Sequence, residues 1–370
     1  MGPLRQPSKR YLHSLDAARG LAATAIVCHH VGALAANLNG AGTGGAFFTL
    51  ADGSFHTFLD FFFVLSGFLA AQRHGEDMGT AGCAGAFLVK RFWRLWPILA
   101  LLTLAKLLIL LSSDAASVRD DLDLELVVGS MLMLPMDRYP LIVAAWTLPF
   151  EMTFYALVAF AMIASRRALI VLVVVWSVLI FIYGLWQDGE ESFPVAFLLN
   201  SYFLEFFCGA ALGLWRGWQD FKPSHMVACT ALGAAGLVIG MISSSWLTEQ
   251  LHLIQCLWWT AVYCCLIAGM YRFEILWPAE HGWASRVSPL SLLGRASYSV
   301  YLIHGPIVVI LVAQADGRGW LANGGAPWAL SAIAGAAITV GVLFWRFGEQ
   351  RINGLIGNQL RAKPIAQPSA

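Results

Sequence analysis

Residues 168–186 read ALIVLVVVWSVLIFIYGLW, a run of nineteen residues without a charged side chain. A helix rises about 1.5 Å per residue, so a run of this length crosses most of the roughly 30 Å hydrocarbon core of a bilayer. Arg166 and Arg167 precede the run, and basic residues commonly flank the cytoplasmic end of a span. The stretch therefore predicts a transmembrane helix.

The composition of the whole chain also indicates a membrane protein. Of its 370 residues, 58% are hydrophobic and only 12% are charged, whereas soluble domains carry about 25% charged residues. The formal net charge is +1, so we expect no nucleic-acid partner. The seven cysteines lie mostly within apolar runs and lack the paired spacing of metal ligands, and we interpret them as reduced packing residues.

Apolar stretches of similar length recur on both sides of this run. We predict an all-α fold, a polytopic transmembrane helical bundle of about ten spans with membrane lipid around it. The first stretch is too long, and too polar at Asp16 and Arg19, for the core of a cleavable signal peptide, so we expect it to remain as a span. The predicted spans lie near residues 14–36, 55–72, 92–112, 143–164, 168–186, 194–215, 225–243, 251–270, 297–314 and 328–346.

The distribution of Lys and Arg predicts the orientation of the bundle. With the N-terminus in the cytoplasm, the cytoplasmic segments hold 18 of the 23 basic residues, and the outer loops hold only Arg119, Arg138 and Arg318. Basic residues concentrate on the cytoplasmic side of membrane proteins. We therefore predict an even number of spans with both termini cytoplasmic. The longest polar stretches are too short to bury a core of their own, so we expect one membrane domain over residues 1–361 and a disordered tail over 362–370.

Ionisable side chains inside predicted spans are expensive and commonly functional. Arg19 and His30 are eleven residues apart in the first span. At 100° per residue this is about 20° more than three full turns, so both side chains share one helical face. A transmembrane site is one interpretation. The other is that Arg19 only reaches the membrane surface and His30 is a hydrogen-bonded core histidine.

The third predicted span opens with KRFWRLWP (90–97), in which Arg91 and Arg94 are three residues apart and so lie on one face. Guanidinium groups bind phosphates with two parallel hydrogen bonds. The pair therefore predicts a docking site for a phosphorylated cytoplasmic cofactor. An ordinary basic anchor at the membrane surface is the alternative.

The other polar candidates lie in or beside further spans. Glu151 and Tyr155 are one turn apart in WTLPFEMTFY (146–155), and a carboxylate there needs a polar cavity or a cation. A structural salt bridge would also satisfy Glu151. The remaining candidates are Asp60 and Ser66 on the second span, Ser297, Tyr298, Tyr301 and His304 on the ninth, and Glu349, which follows the last span and could pair with Arg91 or Arg94. Ser297, Tyr301 and His304 share one helical face.

The residues alone leave two functions open for these ionisable side chains. Histidine, carboxylate and arginine on inward faces serve a proton-coupled transporter or flippase, with His30, Glu151 and Asp60 as the relay. They equally serve a transferase, for which histidine is the usual base. The sequence has no visible internal or inverted repeat, which argues against a transporter. A non-catalytic scaffold would not need the ionisable residues.

Five stretches in sequence order share one resemblance: RGLAATAIVCHHVG (19–32), FFFVLSGFL (61–69), KRFWRLWP (90–97), WTLPFEMTFY (146–155) and LGRASYSVYLIHGP (293–306). They are similar to the bacterial membrane acyltransferases of acyltransferase family three, which O-acylate cell-surface and secreted carbohydrates. Each stretch alone is weakly specific, whereas the ordered set is specific and covers nearly the whole chain. The resemblance implies a membrane domain of about ten helical spans in the bacterial inner membrane.

The resemblance also implies residue roles. His30 matches the family histidine implicated in acyl transfer, with Arg19 completing the motif, and Arg91 and Arg94 match a motif associated with the acyl-CoA donor. Glu151 matches the acid of the fourth-span motif. The residues that match further family segments are Tyr298, Tyr301, His304 and Glu349, the last followed by Gln350 where the family usually has proline.

We therefore predict an O-acyltransferase that moves an acyl group, expected to be acetyl, from acetyl-CoA or another acyl-CoA to a carbohydrate hydroxyl. His30 is expected to act as general base, or alternatively as a transient acyl carrier, with Glu151 orienting its ring. Arg91 and Arg94 are expected to hold the phosphates, and Arg19 to line a pantetheine-wide tunnel that it shares with His30. No metal is required. The sequence predicts neither the acceptor nor the oligomeric state.

Overall fold

The computed structural model of the chain describes residues 11–112, 122–186, 193–243, 252–277, 282–283, 287–322 and 326–355. These residues are largely helical and contain no β-strand. The α-helices are His13–Asn39, Gly45–Ser54, Phe58–His74, Ala81–Ser112, Leu124–Leu132, Leu148–Ile163, Arg166–Trp186, Val195–Leu198, Tyr202–Leu214, Pro223–Ser243, His252–Leu276, Ser288–Gly317 and Ala326–Phe344. Short 3₁₀ turns occupy Phe55–Thr57, Val143–Thr147 and Gly217–Gln219, and a π-helical turn occupies Trp345–Glu349.

The described part of the chain contains ten helical stretches that are long and apolar enough to cross a membrane. This confirms the predicted number of spans. They are, numbered in chain order, His13–Asn39, Gly45–His74, Ala81–Ser112, Val143–Ile163, Arg167–Trp186, Val195–Leu214, Pro223–Ser243, Leu253–Leu276, Ser288–Gly317 and Ala326–Leu355.

Three helices are longer than hydropathy predicts. The third begins at Ala81 and the ninth at Ser288, so both start about three turns before the predicted apolar stretches. The tenth continues through its π-helical turn, so Glu349 lies within the helix and the expectation that it follows the span is wrong. The predicted tail, 362–370, lies outside the described residues.

Because successive spans cross in opposite directions, the start of the first span and the turn at residues 75–80 lie at the same end of the bundle. We call this the arginine end, because Arg73, Arg91 and Arg94 lie near it. The connections at residues 40–44 and 133–142 lie at the opposite end. The fifth and seventh spans are peripheral and expose many apolar side chains, including Val174 and Ile239, which suits contact with lipid tails.

Glycines let two pairs of spans pack backbone to backbone. Gly20 on the first span faces the Leu290 carbonyl on the ninth, and Gly294 on the ninth faces the Asp16 carbonyl on the first. Gly67 on the second span similarly faces the Phe206 carbonyl on the sixth. Small residues permit such contacts in membrane helices. The first contact fixes the first span against the ninth, and these two spans carry the histidines of the candidate site.

Gly294→Ala is expected to lower the apparent melting temperature of the purified protein. The added methyl group would overlap the Asp16 carbonyl oxygen, which belongs to rigid backbone, and overpacking of this kind costs about 1–3 kcal/mol. Gly305→Ala is the matched control, since it lies on the same helix with no atom within 4 Å of the added methyl. Equal melting temperatures for the two variants would contradict this account of the packing.

Candidate active site

A cavity of about 320 Å³ opens among the first, second, third, fourth and ninth spans. This volume lies in the range typical of small-molecule sites. Four arginines line it, and we call it the arginine cavity. They are Arg19 from the first span, Arg73 from the second, and Arg91 and Arg94 from the third. The structure thus brings together the three arginines expected from the sequence and adds Arg73.

The arginine cavity has an excess of positive charge. Its four guanidinium groups face only two carboxylates, those of Asp16 and Glu151. Arg19 is held by Asp16 at 3.2 Å and donates to the Ser297 hydroxyl at 3.0 Å. Asp16 therefore balances Arg19, and the remaining excess belongs to the other arginines.

The other three arginines are not neutralised by a direct ion pair. Arg91 lies over the ring of Phe87 at 5.3 Å and that of Tyr155 at 4.9 Å, and these contacts hold the guanidinium without neutralising it. Within the described residues, Arg73 and Arg94 form no hydrogen bond or ion pair, and both are solvent-exposed. Open guanidinium groups of this kind are suited to binding phosphates.

Glu151 lies with the arginines and not with His30. Its carboxylate accepts a hydrogen bond from the Tyr155 hydroxyl one turn along the fourth span, and both residues line the arginine cavity. The expectation that Glu151 orients His30 is therefore wrong for this structure. Glu151 lies on the face of the fourth span that is directed towards the third span, which carries Arg91 and Arg94.

Thr147 and Tyr301 connect two spans in the wall of the arginine cavity. The hydroxyl groups of Thr147 and Tyr301 are 3.1 Å apart and join the fourth span to the ninth. Tyr298 also lines the cavity and donates from its hydroxyl to the Leu95 carbonyl at 2.6 Å. Ser66 lines the wall formed by the second span. Three of the expected supporting residues, Ser66, Tyr298 and Tyr301, therefore lie with Tyr155 around the same cavity.

His30 lies beyond Tyr301, beside His304. His30 Nδ1 is 2.9 Å from the Ile26 carbonyl and 3.4 Å from His304 Nε2. Because a carbonyl only accepts hydrogen bonds, His30 Nδ1 carries the hydrogen, and its Nε2 has the free lone pair. His304 is 1% exposed, and its Nδ1 donates to the Val300 carbonyl at 3.2 Å. His304 Nε2 therefore presents its lone pair to the N–H group of His30 Nδ1.

These contacts confirm the predicted shared faces. Arg19 contacts Ser297 and His30 contacts His304, so both first-span residues face the ninth span. The arginine cavity that Arg19 lines does not include His30 among its lining residues, however, so the described residues do not show the two side chains in one cavity. The Tyr301 ring, centred 5.9 Å from the His304 ring, lies between the cavity and the histidines.

Two further histidines lie near His30. His29 Nδ1 donates to the carbonyls of Ala51 and Asp52, at 3.2 and 3.0 Å, and its ring centre is 5.6 Å from that of His56. The rings of His29 and His30 are 4.9 Å apart. Within the described chain, no group of three or more His, Cys, Asp or Glu side chains is arranged to hold a metal ion.

Asp60 belongs to a separate buried pair. It contacts Glu205 of the sixth span, which is fully buried and accepts a hydrogen bond from the Cys256 thiol at 3.2 Å. Neither carboxyl group lines the arginine cavity. Sequence reasoning missed Glu205, although a glutamate within YFLEFFCG (202–209) is itself a signal of a polar contact inside a span.

Glu349 is buried and accepts a hydrogen bond from the Ser299 hydroxyl at 2.5 Å. It forms no ion pair with Arg91 or Arg94 within 4 Å in the described structure, so the expected pairing is wrong.

Arg73 is the other residue that sequence reasoning missed as a site residue. It lies seven residues after Ser66, on the same helical face, but was interpreted only as a basic residue at the membrane surface.

Comparison with known proteins adds two findings. A family model described as an acyltransferase domain, the third acyltransferase family, matches residues 12–346. The exopolysaccharide production protein ExoZ of Rhizobium meliloti (strain 1021) is 26% identical over 300 residues, which covers 77% of this chain and 85% of that protein. No solved structure matches the chain.

Proposed function

Because the chain belongs to the third acyltransferase family, whose model matches residues 12–346, and is a multi-pass O-acyltransferase, we propose that it acylates a carbohydrate with an acyl group taken from acyl-CoA. The carbohydrate is proposed because the similar Rhizobium protein is named for exopolysaccharide production. The proposed acyl group is acetyl, and the acceptor is a polysaccharide or its precursor.

The observation that carries the donor assignment is the charge of the arginine cavity. Arg73, Arg91 and Arg94 line it without a direct carboxylate partner, while coenzyme A carries several phosphate charges on its nucleotide end. Phosphates bind to guanidinium groups through charge-assisted hydrogen bonds. The nucleotide would lie at the arginine end, and the pantetheine arm would extend between the spans towards Thr147 and Tyr301.

The donor also supports an orientation. Acyl-CoA is cytoplasmic, so the arginine end would face the cytoplasm, as the excess of basic residues at that end favours. Both termini then lie in the cytoplasm, and the protein would reside in the bacterial inner membrane. His30 and His304 lie on the far side of Tyr301 from the donor phosphates.

His30 is the proposed general base, and its geometry supports that role. Its Nδ1–H is fixed by the Ile26 carbonyl, so the Nε2 lone pair can take the proton of the acceptor hydroxyl. The hydroxyl oxygen then attacks the thioester carbonyl, a C–O bond forms, the C–S bond breaks, and the proton passes to the coenzyme A sulfur. His304 Nε2, 3.4 Å from His30 Nδ1, would stabilise the protonated ring.

The thioester must pass the contact between Thr147 and Tyr301 to meet His30. This contact is one hydrogen bond of 3.1 Å between two side chains, and a neutral hydrogen bond contributes only about 0.5–1.5 kcal/mol net. Rotation of the Tyr301 side chain would therefore suffice to join the arginine cavity to the histidines. Binding of the pantetheine arm can offset that cost.

Inside-out membrane vesicles that contain the protein are expected to transfer label from acetyl-CoA labelled in the acetyl group to added carbohydrate. The carbohydrate is the host exopolysaccharide, from which mild alkali has removed the esters. Freeze–thaw admits it to both faces of the vesicle membrane. Alkali-labile label on the polymer is measured. Intact right-side-out vesicles should not use external acetyl-CoA, because the arginine end then faces the lumen.

Vesicles from cells without the protein are the control. Label that enters the vesicles without becoming an ester would favour a transporter and contradict the proposed function. Equal use of acetyl-CoA by both vesicle types would contradict the orientation.

A further inference from the structure

A second cavity, of about 410 Å³, lies at the end opposite the arginines. Its walls are formed by Leu99 of the third span, the segment 129–140, the start of the fourth span, and residues 193–200. Five aromatic side chains line it, and we call it the aromatic cavity. They are Tyr139, Trp146, Phe150, Phe193 and Phe197.

The mouth of the aromatic cavity is polar and lies outside the spans. Asp137, Arg138 and Tyr139 line it from the connection before the fourth span. Tyr139 is 68% exposed, so its ring is accessible to a ligand from outside the protein. An acid, a base and a phenol at the entrance can form hydrogen bonds with a polar ligand.

The connection that carries these residues is fixed by specific contacts. Asp123 accepts a hydrogen bond from the Leu126 amide at 2.7 Å and caps the helix that follows. Arg138 donates to both oxygens of the same carboxylate at 2.5 Å. The hydrogen bond from Arg138 lowers the pKa of Asp123 below its ordinary value, so the pair is ionised at neutral pH.

A second contact holds the far side of the connection. The Ser130 hydroxyl accepts from the Leu141 amide at 2.8 Å. On the opposite wall, the side-chain oxygen Oδ1 of Asn200 accepts a hydrogen bond from the Tyr202 amide at 3.0 Å. This orients the Asn200 side chain, and its NH₂ group remains available to a ligand. The cavity is therefore a preformed site, with aromatic faces and a few fixed polar groups.

The two cavities are adjacent. Leu95 lines the arginine cavity and Leu99, one turn further along the third span, lines the aromatic cavity. On the fourth span, Thr147 and Leu148 line the first cavity, whereas Trp146 and its neighbour Pro149 line the second. One helical turn of the third span separates the two cavities, whereas on the fourth span they lie against different faces of the same turns.

From these observations we propose that the aromatic cavity binds a sugar segment of the carbohydrate acceptor. A pyranose ring has faces of C–H groups, which pack on aromatic rings, and a rim of hydroxyls, which pair with Asp137, Arg138 and Asn200. The inference rests on the proposed function. The bound segment neighbours the acylated sugar and does not itself react, because His30 does not line this cavity.

The test measures sugar binding directly, without acyl transfer. The probe is host exopolysaccharide, stripped of esters with mild alkali and cut to oligosaccharides, titrated into full-length protein in phosphatidylcholine nanodiscs that contain no sugar detergent. Tyr139→Ala is expected to weaken binding about tenfold, and Tyr139→Phe to retain it because the ring remains. Trp320→Ala, which removes a 44% exposed ring at the same end but outside the cavity, should bind as the wild type does.

Stabilisation by coenzyme A is measured on the same samples and should be equal in all four proteins, which shows that Tyr139→Ala is folded. In the labelled-acetyl assay, Tyr139→Ala should raise KM for the oligosaccharide and leave kcat unchanged.

Equal oligosaccharide affinity in the wild type and Tyr139→Ala would overturn the inference. So would displacement of the oligosaccharide by oleate, which would assign the cavity to a lipid tail. If label is transferred to carbohydrate but the wild type shows no Tyr139-dependent binding, the inference fails and the proposed function stands. If oligosaccharide binds through Tyr139 but no label is transferred, the sugar site stands and the proposed function fails.

Discussion

His30→Ala is expected to lower acyl transfer by about 10²–10⁴-fold, the usual contribution of a general base. The free Nε2 of His30 is the only lone pair in its ring, because Nδ1 donates to the Ile26 carbonyl. Alanine removes that lone pair. The measurement is transfer of labelled acetyl groups to ester-free exopolysaccharide at matched protein level, with stabilisation by coenzyme A as the check on folding and donor binding.

The matched control is His29→Ala, one position earlier on the helix. His29 points about 100° away, and its Nδ1 donates to the carbonyls of Ala51 and Asp52 instead of meeting His304. This variant loses a packing contact with the helix Gly45–Ser54 but keeps the proposed base, so its rate should fall far less. Retained transfer in His30→Ala, or equal loss in both variants, would return His30 to a structural role.

Periodicity predicted the faces of single helices well. The eleven-residue separation of Arg19 and His30 predicted one face, and both do contact the ninth span, at Ser297 and His304. The charge-free run at residues 168–186 predicted a span for an equally local reason, since a backbone in lipid must satisfy its own hydrogen bonds. Such signals are contained in one helix and need no knowledge of its neighbours.

Pairing between helices was not predictable in the same way. Glu151 was expected beside His30, but which side chain a carboxylate meets depends on which spans are adjacent and how they are rotated. The close packing at Gly20 and Gly294 sets that arrangement for the first and ninth spans. As a result, His304 occupies the position expected for Glu151, and Glu151 lies with Arg91 and Arg94.

The sequence predictions also failed for residues whose position in the chain fits both a place at the membrane surface and a place inside the bundle. Arg73 fitted the rule for basic residues at the cytoplasmic surface, so its place in the arginine cavity could not be separated from that background. Glu349 was expected to pair with an arginine at the membrane surface. The π-helical turn instead keeps it buried within the helix, where Ser299 supplies its hydrogen bond.

Arg94→Ala is expected to weaken coenzyme A binding by about 10–100-fold at low salt. A hydrogen bond to a charged group contributes about 1.5–3 kcal/mol, and 1.4 kcal/mol is tenfold in affinity. Arg94 is suited to that contact because no described residue bonds its guanidinium, while Arg91 is held against the rings of Phe87 and Tyr155. Binding of coenzyme A to purified protein is measured by titration over a series of salt concentrations.

Arg346→Ala separates a specific contact from a general loss of positive charge. Arg346 is exposed towards the end of the tenth span and donates to Gln350 at 2.9 Å, so its removal changes the net charge equally but leaves the arginine cavity intact. Its affinity should match that of the wild type. Arg94→Lys should fall between the two, because an ammonium group keeps the charge and loses the planar, two-bond geometry.

Salt dependence gives an independent readout of the same contact. Attraction between phosphates and guanidinium groups is screened as ionic strength rises, so wild-type affinity should fall steadily with salt. The fall should be shallower in Arg94→Ala, because one of the charges that salt screens is already gone. Arg94→Ala and Arg346→Ala could weaken coenzyme A binding alike, with parallel salt dependence. The arginines would then act only through the combined electrostatic attraction of all the basic residues, and not through a direct contact with phosphate. The arginine cavity would then not be the donor site.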